Sequence, residues 1–325
     1  MKECLRIGNL EIASRVLIAP MSGITDLPFR RVLQKFSPGY VVSEMVAGKK
    51  LVEGNEDTAL RASGAGEIDP LVIQLVGNDM KWMGEGSARA EELGADIVDI
   101  NMGCPARKVV TGAAGSALMR DLDKACDLIS AVVSNTARPV TLKMRLGWSH
   151  EQLNAAELAS KAEALGVSAV IVHGRTRCQF YEGVADWSAV KTVSDAVSIP
   201  VIVNGDIDSG DAARRALEAS GADAVMVGRS LTGQPWLVST IKRGLGETVV
   251  ANVASKADVA AAHYTDVIET FGERRGVRVA RKHVQAYLQN AGASKTTLKA
   301  AMTEKDPEIV RAHLISSLNN EAVAA

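Results

Sequence analysis

The sequence predicts an α/β protein whose main domain is a (β/α)8 barrel. Eight short runs rich in β-branched residues recur between residues 15 and 230, and helix-like segments that are alanine-rich or charged separate most of them. Near-continuous apolar strands that alternate with amphipathic helices are typical of a parallel sheet covered on both faces. Eight such units in succession favour a closed barrel over an open, doubly wound sheet.

The predicted strands cover, in order, residues 15–21, 40–45, 71–77, 96–103, 139–148, 169–176, 200–207 and 224–230. Several of the helical segments between them end in glycine just before the next strand, as helix C-termini commonly do. The first strand is followed by "APMSGITD", which contains one glycine. The G-x-G-x-x-G fingerprint of a dinucleotide-binding open sheet is therefore missing, which again favours the barrel.

The pattern changes near residue 250, where strand-like runs stop and the rest of the chain has the periodicity of amphipathic helices. The turn-rich stretch "KRGLGE" precedes this change. We therefore expect a barrel domain over residues 1–245 and a small all-helical domain over residues 246–325.

Composition excludes several classes of protein. The 325 residues carry a net charge of −1, and no run of apolar residues is long enough to span a membrane. The first 21 residues lack the pattern of a secretory signal. The four cysteines are widely spaced and form no C-x-x-C pair, which predicts reduced thiols in the cytoplasm. We expect neither disulfides nor a bound metal.

Polar residues end many of the apolar strands. In a (β/α)8 barrel the C-terminal ends of the strands carry the active site, and closure of the barrel brings all eight ends to one rim. A single polar residue at a strand end is more often a hydrogen-bonded structural group than a ligand. Their convergence predicts a polar ligand; the residues are Gln74, Asn101, Lys143, His173 and Asn204.

The last two units predict a phosphate site. "NGDI" follows the seventh strand and "GRS" follows the eighth, at the place where such barrels commonly bind phosphate. Arg229 can pair with two phosphate oxygens at once. A phosphorylated cofactor such as FMN fits this pattern, with Lys143 near the ring system that becomes negative on reduction.

Seven motifs occur in one order over residues 14–240: "APMSGITDLPFR", "QLVG", "DINMGCPARKV", "TLKMRLGW", "VHGRTRCQFYEG", "IPVIVNGDI" and "MVGRSLTGQPW". Together they resemble the tRNA-dihydrouridine synthases, and specifically the bacterial DusB-like branch. The later "ARKHVQAYL" resembles the helical tRNA-binding domain of that branch. Ser22 and Arg107 stand where close relatives often carry alanine and lysine, and both differences are mild.

The resemblance implies an FMN-dependent enzyme that uses NADPH to reduce the C5–C6 double bond of a uridine in tRNA. It implies that Cys104 is catalytic and that Asn101 lies near the uracil edge. It also implies a set of flavin-binding residues, namely Pro20, Met21, Ser22, Gln74, Lys143, His173, Asn204, Gly205, Asp206, Gly228 and Arg229.

The chemistry of alkene reduction suits a cysteine at position 104. Adding hydride to C6 of uracil places negative charge on C5 and O4, and an acid must then protonate C5. A free thiol, with an ordinary pKa of about 8.5, is protonated at neutral pH and acidic enough to donate. No histidine adjoins Cys104 in sequence, whereas Arg107 and Lys108 follow it, so a nucleophilic role stays open on the residues alone.

Two basic clusters are candidates for binding tRNA. One is a helical stripe of Arg274, Arg275, Arg278, Arg281, Lys282 and His283, and the other, in the loops at the barrel rim, is Arg107, Lys108, Arg175 and Arg177. Alternatively, the helical stripe is an ordinary solvent-exposed helix face that does not bind tRNA. Two other functions stay open: a dihydroorotate-dehydrogenase-like flavoenzyme acting on a free pyrimidine, and a non-catalytic flavin- or tRNA-binding regulatory protein.

Overall fold

The computed structural model describes residues 5–249 and 254–319, so Cys4 and residues 250–253 and 320–325 of the predicted helical domain lie outside the described residues. Eight parallel strands pair in chain order, and the eighth pairs with the first, which closes the barrel. The predicted fold class is thereby confirmed. The strands are β1 (Val16–Ile18), β2 (Val41–Val42), β3 (Leu71–Val76), β4 (Ile97–Met102), β5 (Val140–Arg145), β6 (Ala169–His173), β7 (Val201–Asn204) and β8 (Ala224–Val227). A further two-residue strand, Val46–Ala47, also pairs with β3.

Helices surround the barrel, with at least one after each strand. They are α1 (Leu27–Gln34), α2 (Gly48–Val52), α3 (Glu56–Ala62), α4 (Met80–Glu92), α5 (Arg107–Thr111), α6 (Leu122–Val133), α7 (Ala155–Ala164), α8 (Trp187–Ser194), α9 (Gly210–Ser220) and α10 (Leu237–Gly244). Short 3-10 turns cover Gly115–Arg120 and Arg229–Leu231.

The barrel is closed at its N-terminal end by an antiparallel hairpin of Leu5–Ile7 and Leu10–Ile12. Ile7 and Ile12 are buried in the same cluster as the side chains that fill the barrel, such as Ile171 and Ile202. The opposite strand faces pack against the helices, so both faces of the sheet are apolar, as in other parallel sheets. The C-terminal rim is therefore the end at which polar side chains meet a cavity.

The last four helices form a separate small core against one side of the barrel. They are α11 (Lys256–Phe271), α12 (Glu273–Asn290), α13 (Lys295–Thr303) and α14 (Pro307–Leu318). Tyr264, Tyr287 and Leu314 lie in this core, and α11 packs on α1. The chain passes from barrel to helical domain between Gly244 and Lys256. In the described parts of the chain no helix combines the length and apolar character needed to cross a membrane.

Candidate active site

A cavity of about 980 Å³ opens at the C-terminal rim of the barrel. Its volume is near the top of the range of roughly 300–1,000 Å³ that is usual for small-molecule sites, which leaves room for a cofactor and a base together. All of the residues predicted for the site except Arg175 line it, namely Pro20, Met21, Ser22, Gln74, Asn101, Cys104, Lys143, His173, Asn204, Gly205, Asp206, Gly228 and Arg229.

A chain of buried hydrogen bonds fixes the side chains on β3 and β4. Asn101 Nδ2 donates to Gln74 Oε1 at 2.8 Å, and Gln74 Nε2 donates to Asp99 Oδ2 at 2.6 Å. Thr141 Oγ1 donates to the other carboxylate oxygen of Asp99 at 2.6 Å. Burial raises the pKa of Asp99 to about 6, against the opposing effect of these hydrogen bonds and of the Lys143 charge. This series of hydrogen bonds fixes the orientation of the Gln74 side-chain amide. The second N–H of that amide remains available to a ligand.

Lys143 provides a buried cation inside the cavity. Its Nζ donates to Asn204 Oδ1 at 2.9 Å, and Asn204 Nδ2 in turn donates to the carbonyl of Met226 at 2.8 Å. Burial lowers the pKa of Lys143 to about 8, while the Asp99 carboxylate partly raises it. A lysine at this position suits a ligand that gains negative charge.

The ends of β7 and β8 form the anionic-ligand end of the cavity. Gly205 has a φ of +118°, and Arg229 begins the 3-10 turn at Arg229–Leu231. The first N–H groups of such a turn have no acceptor within it. The exposed Arg229 guanidinium lies 4.6 Å from the centre of the Tyr181 ring and 3.5 Å from Asp206 Oδ1. Backbone donors and an exposed arginine are the groups that bind phosphate.

His173 lies beside this end as a neutral ring. Burial, followed by the charges of Lys143, Arg145, Arg175 and Arg229, lowers the pKa of His173 well below its ordinary value. At neutral pH it therefore hydrogen-bonds without adding charge.

Arg175 was predicted at the barrel rim as a residue that contacts the substrate, but its side chain lies elsewhere. Its side chain is 2 % exposed and does not line the cavity. The guanidinium forms an ion pair with Asp206 and donates to the carbonyls of Glu182 and Gly183. It thus anchors Asp206 and the loop after β6, and we do not retain it as a substrate contact.

Hydrogen bonds hold the loop that carries Cys104. Asn101 Oδ1 accepts the backbone N–H of Cys104 at 3.0 Å and that of Gly103 at 3.3 Å. Ser116 Oγ donates to the Cys104 carbonyl at 2.8 Å, and Arg145 Nε donates to the Gly103 carbonyl at 2.7 Å. Cys104 is partly exposed, free of any disulfide, and lines the cavity. Asn101 therefore positions the thiol and still keeps one amide hydrogen for a ligand.

Arg145 and Tyr181 also line the cavity and were not predicted. Arg145 lies two residues after Lys143 on β5, so the period of a strand points both side chains the same way and is a signal that could have identified it. Tyr181 is 51 % exposed in the loop after β6, with Arg145 and Arg229 against its ring. The path of that loop left no signal in the sequence.

The predicted basic clusters are only partly exposed. Arg107 and Lys108 are exposed at the start of α5, immediately after the Cys104 loop. Arg177 is half-buried between the rings of Trp148 and Phe180.

On α12, Arg274 and Arg278 are exposed, whereas Arg275 pairs with Asp57 of the barrel at 2.6 Å. Lys282 reaches the loop after β1, since a Cβ added at Gly23 would lie 2.7 Å from its Nζ. His283, predicted in the exposed stripe, is instead 2 % exposed and faces the barrel.

We expect Gly205→Ala to abolish stable binding of the FMN that the resemblance implies. A Cβ at this position would lie 2.8 Å from Ala185 Cβ and 2.9 Å from His173 Cδ2, and the positive φ adds strain. Flavin content per purified chain measures the effect. Gly54→Ala is the control, because Gly54 also has a positive φ, of +72°, but lies outside the cavity, and a Cβ there meets no atom within 4 Å. Equal flavin content in the two variants would contradict this account.

We expect Asn101→Ala to slow the reduction that the resemblance implies by roughly 10- to 100-fold, because misplacement by about 1 Å has effects of this size. The change removes the acceptor for two N–H groups of the Cys104 loop. Single-turnover oxidation of the reduced enzyme measures the step, and the rate at which iodoacetamide alkylates Cys104, compared with exposed Cys178, reports on the loop. Unchanged single-turnover and alkylation rates would exclude the positioning role.

Comparison with known proteins identifies the family. The family model described as "Dihydrouridine synthase (Dus)" matches residues 17–320. A probable tRNA-dihydrouridine synthase of Rhizobium leguminosarum bv. phaseoli is 46 % identical over 97 % of this chain and 98 % of its own length. The tRNA-dihydrouridine synthase B of Pseudomonas aeruginosa is 42 % identical over 87 % of this chain and 86 % of its own.

Solved structures share the fold at much lower identity. A morphinone reductase variant in complex with tetrahydroNAD superposes with a TM-score of 0.58 at 14 % identity, covering 76 % of this chain and 90 % of its own. An old yellow enzyme homologue from Zymomonas mobilis gives a TM-score of 0.54 at 15 % identity, covering 77 % and 94 %. The match of the family model and the near full-length identity to curated relatives are decisive, and the chain belongs to the dihydrouridine synthase family.

Proposed function

We propose that the protein is an FMN-dependent tRNA-dihydrouridine synthase that uses NADPH to reduce the C5–C6 double bond of uridines in tRNA. The observation that carries the proposal is the cavity at the barrel rim. Cys104, Lys143 and the anionic-ligand end with Arg229 all line this one cavity, and the chain belongs to the dihydrouridine synthase family. Because the substrate is tRNA, we place the activity in the cytoplasm.

The residues of the cavity fit FMN. Arg229 and the backbone at 205–206 and 228–230 would hold the phosphate, and the missing Cβ of Gly205 lets that backbone lie close against Ala185 and His173. Lys143 and Gln74 would contact the ring system, one as a cation and the other as a fixed amide. Pro20, Met21 and Ser22 would line the ring. When bound and reduced, FMN supplies the hydride that is added to C6 of uracil.

Cys104 completes the reduction as the acid. Its S–H bond breaks, the proton forms the new C–H bond at C5, and the thiolate takes a proton from solvent. The balance is one uridine, one NADPH and one proton converted to one dihydrouridine and one NADP⁺. Asn101 holds the loop so that the thiol faces the cavity, and its remaining amide hydrogen is available to the uracil edge.

The target uridine must leave its stack to enter the rim cavity. Arg107 and Lys108 beside the Cys104 loop and Lys282 beside the loop after β1 would bind the phosphates around that base. The exposed Arg274 and Arg278 extend this basic surface along α12.

Substrate choice tests the proposal. The FMN-loaded chain and NADPH would be given unmodified tRNA transcripts, free uridine, or orotate, and products would be measured by nucleoside mass spectrometry. We expect dihydrouridine from tRNA alone. Reduction of free orotate or uridine at the tRNA rate would favour the pyrimidine flavoenzyme, and a chain that binds tRNA yet cannot be loaded with FMN would favour the regulatory protein.

A further inference from the structure

Three residues that the function does not use meet at the junction of the barrel and the helical domain. Asp26 precedes α1, His263 lies on α11 and His283 lies on α12. They are 4 %, 1 % and 2 % exposed, and one ligand atom from each lies within 4.8 Å of the others. Buried polar groups are normally hydrogen-bonded, so such a cluster requires an explanation.

The atoms that face each other in this cluster lack hydrogen-bond partners. Within the described residues this holds for Asp26 Oδ2, His263 Nε2 and both ring nitrogens of His283. The nearest approach, between Asp26 Oδ2 and His283 Nε2, is 3.6 Å, longer than a hydrogen bond. The other oxygen, Asp26 Oδ1, accepts the N–H of Phe29 at 3.0 Å and caps α1. The free atoms therefore converge while the capping atom is used elsewhere.

The environment of His263 prepares its Nε2 as a ligand atom. Its Nδ1 lies 3.1 Å from Tyr287 Oη, which can accept the ring N–H and so leave the lone pair on Nε2. A neutral imidazole whose second nitrogen is held by an oxygen is the usual arrangement of a metal-binding histidine.

The spacing of the three ligand atoms is close to that of a metal site, since all of them lie within 4.8 Å of one another. A tetrahedral zinc ion with bonds of about 2.0–2.2 Å needs ligand atoms roughly 3.4 Å apart, which small side-chain rotations on the order of 1 Å would achieve from the observed spacing.

We propose that Asp26, His263 and His283 bind a zinc-class transition metal ion that joins the helical domain to the barrel. Two imidazoles and one carboxylate suit zinc, whereas magnesium and calcium prefer oxygen ligands throughout. Asp26 would bind through Oδ2, because Oδ1 caps α1. The ion links α1 to α11 and α12 and is independent of the flavin and of the proposed reaction.

Metal stoichiometry of the full-length protein tests the site. The chain is dialysed against a chelator, then against Zn²⁺ or Co²⁺, and its metal content is measured by plasma mass spectrometry. We expect about one equivalent in the wild type and in the control His313→Gln, which changes a histidine of the same domain outside the cluster. We expect His263→Gln and Asp26→Asn to bind no metal. Asparagine is chosen at position 26 because it can still cap α1.

Two further readouts separate this site from binding elsewhere. Zn²⁺ at about 100 times its Kd is expected to raise the Tm of the wild type by more than about 4 °C and to leave that of Asp26→Asn unchanged. Co²⁺ difference spectra should show the visible bands of tetrahedral nitrogen and oxygen ligation without sulfur charge-transfer bands. Metal content that is zero in the wild type, or equal in all four proteins, would overturn the proposal and leave the cluster a buried histidine–aspartate contact.

Discussion

Cys104→Ala is expected to lower the rate of dihydrouridine formation by ~10²–10⁴-fold, the usual contribution of a general acid. The thiol lines the cavity, and its loop is held by Asn101 and Ser116, so the substitution removes the proposed proton donor and leaves the loop in place. The variant should retain flavin and still be reduced by NADPH, because none of the groups that fit the cofactor changes. Nucleoside mass spectrometry of tRNA products measures the loss.

Cys178→Ala is the matched control for this prediction, since Cys178 is an exposed thiol in the loop after β6. It should leave the rate within about twofold of wild type, because surface substitutions usually have small effects. A Cys104→Ala enzyme that turned over tRNA as fast as the wild type would remove the thiol from the mechanism. Loss of flavin from Cys104→Ala would instead assign the residue to cofactor binding.

Reversing two charges on α12, with Arg274→Glu and Arg278→Glu, is expected to weaken tRNA binding by roughly 10- to 100-fold near physiological salt. Both side chains are exposed, and neither has an ion-pair partner among the described residues. The slope of log Kd against log salt should fall by roughly 0.7–0.9 for each tRNA phosphate that the variant no longer neutralises. Arg281 is left unchanged because its Nε is buried.

The control for this pair is Arg89→Glu with Arg214→Glu, which makes the same change in net charge on the outer helices α4 and α9. It should alter affinity little, and the flavin spectrum should be the same in both double variants. Equal affinities for the two double variants at several salt concentrations would show that α12 is a solvated helix face.

The sequence was sufficient to predict the barrel because each strand is an apolar run that ends in polar or glycine residues. Predicted ends were less accurate where the chain stays extended beyond the sheet. The run at 139–148 was predicted as one strand, but β5 ends at Arg145, and Gly147–Ser149 pairs instead with Gln152–Leu153 in a small hairpin. Strand propensity does not distinguish these two partners.

The residues at the strand ends allowed most of the cavity lining to be predicted from the sequence. The contacts made by the loop residues could not be predicted in this way. Arg175 lies after β6 like a ligand residue, yet the path of residues 174–186 folds its guanidinium inward to Asp206. The burial of His283, in contrast, could have been predicted from the sequence. Together with Gly276, Ala280 and Tyr287 it recurs at helical spacing on the buried face of α12. Its neighbour Asp26 is far away in sequence, and no local pattern joins the two.

Mapping of dihydrouridine at nucleotide resolution, in tRNA from cells with and without this gene, tests the central claim most directly. We expect specific tRNA positions to carry dihydrouridine in the wild type, to carry unmodified uridine in the deletion, and to regain dihydrouridine with the wild-type gene but not with Cys104→Ala. A dihydrouridine map unchanged by the deletion, in cells where no other synthase modifies the same positions, would contradict the account.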